Sequence, residues 1–151
     1  MNPQFEIAKL SRTILLGLTK DLTEAQYNNI PNGFKNNIAW NLGHILVTQQ
    51  LLVHKLSNIA CEVDGETIKK FGKDSVPQTD YTLVAIENLK SQLLSCVEKT
   101  KELYTSGTFK TFNVYPTSLG YTINNVEDAI AFSNYHEGIH IGIIIALKKI
   151  V

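Results

Sequence analysis

Apolar positions along the chain recur mostly every three or four residues, the period of a helix with one buried face. In the first segment Ile7, Leu10, Ile14, Leu18 and Leu22 follow this spacing. They predict a helix from Pro3 to Asp21 with those residues as its core side. Asn2 is its expected N-cap, and Pro3 suits the first helical turn. LTEAQYN begins a short new turn at Thr23, and IPNG, Ile30 to Gly33, breaks the chain. A second helix is predicted from Asn36 to Ser57. Its stripe is Ile38, Leu42, Ile45, Gln49, Leu52 and Leu56, widened by Trp40 and Val47, and the stretch contains no acidic residue.

Asn58 to Tyr81 hold Gly65, Gly72 and Pro77 and read as a long connection with one helical turn near Glu66 to Phe71. The third predicted helix runs from Thr82 to Tyr104, with Val84, Ile86, Leu89, Leu93, Leu94, Val97 and Leu103 on its core side. Ser106 to Asn124 form a second connection, in which TFNVYPTSLGYT suits short extended pieces rather than a sheet. The last helix is predicted to start at the N-cap Asn125 and to reach Ile150. Glu127 and Asp128 in its first turn, and Lys148 and Lys149 in its last, complement the helix dipole. Four substantial helices with long connections predict an all-α, single-domain four-helix bundle over residues 1–151.

Composition narrows the function classes. With 44% hydrophobic and 19% charged residues the chain is globular and needs neither a disulfide nor a structural metal for its core. Fourteen basic and fourteen acidic residues cancel, so no basic field invites nucleic acid and no polybasic stretch invites a membrane surface. The expected partners are a small molecule and a second copy of the chain, as a homodimer with the apolar C-terminal run IGIIIALKKIV as a candidate interface. That run is too short to span a bilayer, and MNPQFEIAKLSR lacks the apolar core of a signal peptide. A cytoplasmic location is expected, with Cys61 and Cys96 as ordinary reduced thiols.

The chemistry concentrates in HEGIH, His136 to His140. H-E-x-x-H places two imidazoles one turn apart, as in zinc proteases, whose glutamate is the general base. Those enzymes draw a third ligand, Glu or His, from downstream. Here the chain after His140 reads IGIIIALKKIV and offers none, so the protease reading fails. A di-iron bundle needs a second E-x-x-H and further inward glutamates. The chain has no second E-x-x-H, and its second helix has no carboxylate. A third reading looks back to WNLGH, where His44 falls on the inward side of the second helix, one turn from Asn41 and from Thr48. His44, His136 and His140 can then converge from two helices, leaving an open position of the catalytic kind. On chemistry alone the three are either metal ligands or hydrogen-bonded core histidines. His54, ten residues beyond His44, is expected at the surface or rim.

WNLGH on the second helix, HEGIHIG on the last and the approach LTEAQYNNIPNGFKNNIAWNLGHI together resemble the DinB superfamily, the damage-inducible and YfiT-like proteins. The resemblance covers nearly the whole chain. It implies a divalent metal, nickel or zinc, held by His44, His136 and His140. It also implies a range of activities, among them S-transfer from low-molecular-weight thiols such as bacillithiol, mycothiol or glutathione-like cofactors, and a mycothiol-dependent isomerisation. Relatives often carry Gln shortly after the last histidine, where this chain has Ile143, which marks a different subgroup.

Three functions follow as expectations. One is a metal-dependent thiol transferase acting on a small electrophile, with Glu137 as a proton shuttle or else facing solvent. Another is a metal-dependent hydrolase, and the third a non-catalytic, dimerising metal-binding module of the stress response. Asn41 and Thr48 are candidate partners of the ligands, or simple helix packing. Tyr115, Tyr121 and Tyr135 are candidates for the mouth of the site.

Overall fold

The computed structural model of the chain describes residues 3–151. The expected cap Asn2 lies outside the described residues. Helix α1 spans Gln4–Thr19, and the short α2 spans Glu24–Asn28 under a Thr23/Gln26 capping box. Helix α3 spans Ile38–Gln49, opened by Asn37, whose side chain accepts from the Trp40 amide. It runs on through a wide π turn, Gln50–His54, and a 3-10 turn, Lys55–Ser57. Asn58 then stops it in the left-handed conformation, φ 59°. Helix α4 spans Gly65–Phe71, α5 spans Leu83–Thr105 and α6 spans Val126–Lys148. Thr82 and Asn125 cap α5 and α6 through their side chains. Strands β1, Tyr115–Pro116, and β2, Thr122–Ile123, form a two-residue antiparallel hairpin between α5 and α6.

This is the all-α bundle with long connections that the hydrophobic period predicts. Helices α1 and α3 each pack on both α5 and α6. The contact between α3 and α6 sets WNLGH beside HEGIH. Helix α3 is the central element, because Ile38 through Val47 are all buried. No helix among the described residues is long and apolar enough to cross a membrane.

Helix α1 departs from its predicted orientation. Its buried residues are Phe5, Ala8, Arg12, Leu15 and Thr19, whereas Ile7, Leu10 and Ile14 are 46%, 61% and 44% exposed. The period is right and the phase is wrong. What turns the helix is Arg12, fully buried with its guanidinium bonded to Glu137 on α6 and to the Leu93 carbonyl on α5. The Arg12 Nε–H donates to Glu137 Oε2 at 3.3 Å, so a charged pair lies inside the bundle. A buried ion partner outweighs three exposed aliphatic side chains, because an unpaired charge in the interior is far costlier. In α5, Val84 is likewise exposed rather than core, while Ile86, Leu89, Leu93 and Val97 are buried as predicted.

Candidate metal centre

His44 sits in the middle of α3, where its ring stacks on Trp40 one turn earlier, with centroids 4.5 Å apart and planes 11° from parallel. Trp40 is itself fixed by its indole N–H, which donates to Ser75 Oγ at 2.9 Å. The His44 Nδ1–H donates to the Phe71 carbonyl oxygen at 2.7 Å. A carbonyl only accepts, so the proton sits on Nδ1 and Nε2 keeps its lone pair.

That bond depends on Gly43. A Cβ at position 43 would fall inside the van der Waals surface of the Phe71 ring. The absent side chain lets the end of α4 lie flat on α3, where its last carbonyl meets His44. A glycine inside a helix is destabilising relative to alanine, and close packing is the usual reason for one.

His140 is built in the same way. Its Nδ1–H donates to Asn41 Oδ1 at 2.7 Å. The Asn41 amide nitrogen is already committed to the Asn37 carbonyl at 2.7 Å and to Asn36 Oδ1 at 2.9 Å. Its oxygen therefore faces α6, and His140 Nε2 carries the lone pair. Asn41 is fully buried, so this bond bridges the two histidine-bearing helices away from water. His136, one turn before His140 and half-buried, brings its Nε2 to 3.2 Å from His140 Nε2.

The three rings converge. Centroids are 5.1 Å apart for His44 and His136, 4.9 Å for His44 and His140, and 4.5 Å for His136 and His140. One ligand nitrogen from each lies within 4.8 Å of the others. All three imidazoles are held neutral. Burial first, and neighbouring imidazoles second, push His136 down to about 4 and His140 to about 3, and burial lowers His44 as well. Three neutral converging rings, two of them with Nδ1 occupied by a fixed acceptor, are the donor set that a divalent transition metal requires. The side chains present thus fit such an ion.

A cavity of about 520 Å³ opens over the three histidines. Thr48, Leu51, Leu52 and Leu56 line one side, Phe132 and Ile139 another, and the β1–β2 hairpin covers it with Tyr115 and Leu119. Thr48 Oγ1 lies 3.4 Å from His44 Nε2, at the cavity wall. Of the three candidate tyrosines, Tyr115 lines this cavity, whereas Tyr121 and Tyr135 lie around Phe132 in a separate surface recess.

A model of the DinB superfamily matches residues 8–144. The chain belongs to the DinB superfamily. A comparison with curated proteins gives no match. The match takes in both histidine segments of this DinB-superfamily chain, together with most of the bundle that carries them.

Two sequence expectations need correcting at this site. Glu137 neither faces solvent nor points at the histidines. It is 2% exposed and turned to the opposite side of α6, against Arg12. Glu137 is absent from the lining of the histidine cavity and borders a small internal void with Phe5, Gln49 and Thr100. Consecutive residues on a helix point about 100° apart, so the residue after a ligand is turned away from it. His54 is not at the rim either, but fully buried. Its ring lies 3.1 Å from the Ala60 carbonyl through Nδ1 and 2.8 Å from Thr100 Oγ1 through Nε2. The π turn at Gln50–His54 rotates each residue less than an α turn does, and this carries His54 round to face α5.

Sequence reasoning did not single out Gly43, Phe71 or Arg12. A helical glycine beside a candidate ligand was the available signal for the first. Phe71 contributes a backbone carbonyl, which no side-chain motif records, and Arg12 looks like any surface arginine until its partner is seen.

Proposed function

We propose that this chain is a divalent-metal-dependent enzyme acting on small molecules, with His44, His136 and His140 as the ligands and zinc or nickel as the ion. Its best-supported reaction is transfer of a low-molecular-weight thiol to a small electrophile. The observation that carries this reading is a roomy, mostly apolar cavity over three neutral imidazoles with no carboxylate in its lining. A divalent ion held there supplies Lewis acidity, lowering the pKa of a thiol or water that reaches its open position.

The missing carboxylate favours thiol over water. Hydrolytic sites of the H-E-x-x-H kind rely on a glutamate base beside the metal. Here the glutamate of the motif is bonded to Arg12. A free thiol has a pKa near about 8.5 and needs far less help to ionise than water. In this reading Thr48 orients the nucleophile, Asn41 and the Phe71 carbonyl hold the ligand rings, and Leu51, Leu52, Phe132 and Ile139 exclude bulk water. The test is metal analysis of the purified chain, followed by turnover of an electrophile panel with candidate thiols, with and without metal. Metal-dependent consumption of thiol supports the transferase. Metal-dependent turnover that ignores thiol supports the hydrolase alternative, and no metal-dependent rate leaves the non-catalytic module.

The exposed face Ile7, Leu10 and Ile14 of α1, together with Ile145 and Ile150 near the C-terminus, supports the homodimer reading. Light scattering at micromolar concentration tests it, and a monomer counts against it. The free thiols of Cys61 and Cys96 suit a reducing, cytoplasmic compartment.

A further inference from the structure

Among the described residues, the cavity lining contains two charged side chains besides the histidines, Lys55 and Lys73, both cationic. They come from different places in the chain. Lys55 opens the 3-10 turn that ends the α3 segment, and Lys73 follows α4. Among the described residues no aspartate or glutamate lines the same cavity. Neither ammonium is in salt-bridge contact with a carboxylate among the described residues. The whole chain carries fourteen charges of each sign, so this cavity concentrates one sign on an otherwise balanced protein.

The remaining walls are mostly apolar. Leu51, Leu52, Leu56, Leu119, Phe132 and Ile139 line the same volume, with hydroxyl groups from Thr48, Thr117 and Ser118 among them. Leu119 stands at the hairpin tip and is 60% exposed, an apolar side chain kept at a mouth where solvent would favour a polar one. Pockets of this size bind by apolar enclosure, and a few placed polar groups set the orientation. A cleft lined by one sign of charge also draws in ligands of the opposite sign.

We propose that the cavity takes an organic anion, a molecule with an apolar body enclosed by the leucines and Phe132 and an anionic carboxylate or phosphate end held by Lys55 and Lys73. This substrate class rests on the reading of the cavity as the reaction site. The ammonium groups are flexible point charges rather than planar forks, so they select for negative charge and not for one headgroup geometry.

The test is calorimetric titration of octanoate, octyl phosphate and octanamide into the full chain, both zinc-loaded and chelator-treated. The chelated sample removes direct ligation of zinc by the anion. There, at low salt, at least one anion is expected to bind about tenfold tighter than the amide, the strength of two partly exposed ion pairs. Lys55→Met and Lys73→Met keep the apolar stem, so each should weaken the anion and leave octanamide unchanged. The double variant should erase the preference. Equal affinity for anions and amide, no anion binding, or a preference that survives in the double variant overturns the proposal. Zinc affinity is measured on the same samples. Zinc binding without an anion preference sinks this proposal and spares the metal site, and an anion preference without zinc binding does the reverse.

Discussion

His140 Nδ1 donates to Asn41 Oδ1 at 2.7 Å, a buried bond between the two helices that carry the candidate ligands. It fixes which nitrogen of His140 faces the other imidazoles, and it sets the spacing of α3 and α6 at the site. Replacement of such a partner of a metal-bound histidine typically costs about 10–100-fold in metal affinity. Asn41→Ala is therefore expected to weaken zinc binding by about that factor. Asn41→Asp keeps the acceptor toward His140 but gives up the amide's bonds to the Asn37 carbonyl and Asn36 Oδ1, so its loss should be smaller than that of Asn41→Ala without reaching the parent. Competition titration with a chromogenic chelator separates the two, and equal losses in both variants would show that the bond only packs the helices.

Gly43 makes a second, sharper case. A methyl at this position meets the Phe71 ring, so Gly43→Ala must push α4 away from α3. Overpacking of this kind costs about 1–3 kcal/mol, which urea denaturation will read. The displaced carbonyl also releases the His44 Nδ1–H, so zinc affinity should fall with stability. A stable Gly43→Ala protein with parental zinc affinity would show that the Phe71 contact is dispensable.

The bundle was legible in the sequence because α3, α5 and α6 advertise themselves through their hydrophobic period, and α6 also through its N-cap Asn125. The histidine cluster was legible because His136 and His140 are one turn apart and His44 lies on a stripe that had to face inward. The phase of α1 was not legible. Ile7, Leu10 and Ile14 form as good an apolar stripe as Phe5, Ala8 and Leu15, and the choice is made by Arg12, whose partner lies 125 residues away. His54 was misplaced because a π turn interrupts the 3.6-residue period, and period arithmetic assumes that it does not. Glu137 was misread because the motif's usual chemistry drew attention to its neighbours rather than to its own face of the helix.

The Arg12–Glu137 pair gives a stability prediction. Both side chains are buried, and Arg12 Nη2 and Glu137 Oε1 have no hydrogen-bond partner among the described residues. Burial raises the Glu137 carboxyl above its ordinary range even though the guanidinium pulls it down. Removing one partner leaves the other charge stranded, at a typical cost of about 3–5 kcal/mol. Arg12→Met and Glu137→Leu should each destabilise by roughly that much, and the double variant by much less than the sum. Glu137→Gln should leave zinc affinity near parental, since this carboxylate is turned away from the histidines. A loss of activity in Glu137→Gln with stability and zinc affinity intact would return the residue to a catalytic role.

The depressed histidines set the pH behaviour. Ordinary histidines take up protons near 6.5, whereas here His136 waits until about 4 and His140 until about 3, chiefly because burial penalises the charged ring. His44 and the buried His54 are lowered by the same cause. Between those values the unfolded chain binds protons that the folded chain refuses. Folding stability is therefore fully present above about pH 6.5 and declines as pH falls toward 4, by at most about 1.4 kcal/mol per pH unit for each such site. Thermal unfolding of the metal-free chain from pH 7 to 5 should show this slope, and His136→Ala with His140→Ala should flatten it. The same shift has the opposite consequence for zinc. His136 and His140 carry no protons to expel in this range, so their share of the zinc affinity should change little between pH 7 and 5.5. Exposed histidines would lose zinc steadily below 6.5. An affinity that falls from that point onward with the slope of more than one proton would mean that His136 and His140 are wet, and that the cavity does not keep water from them.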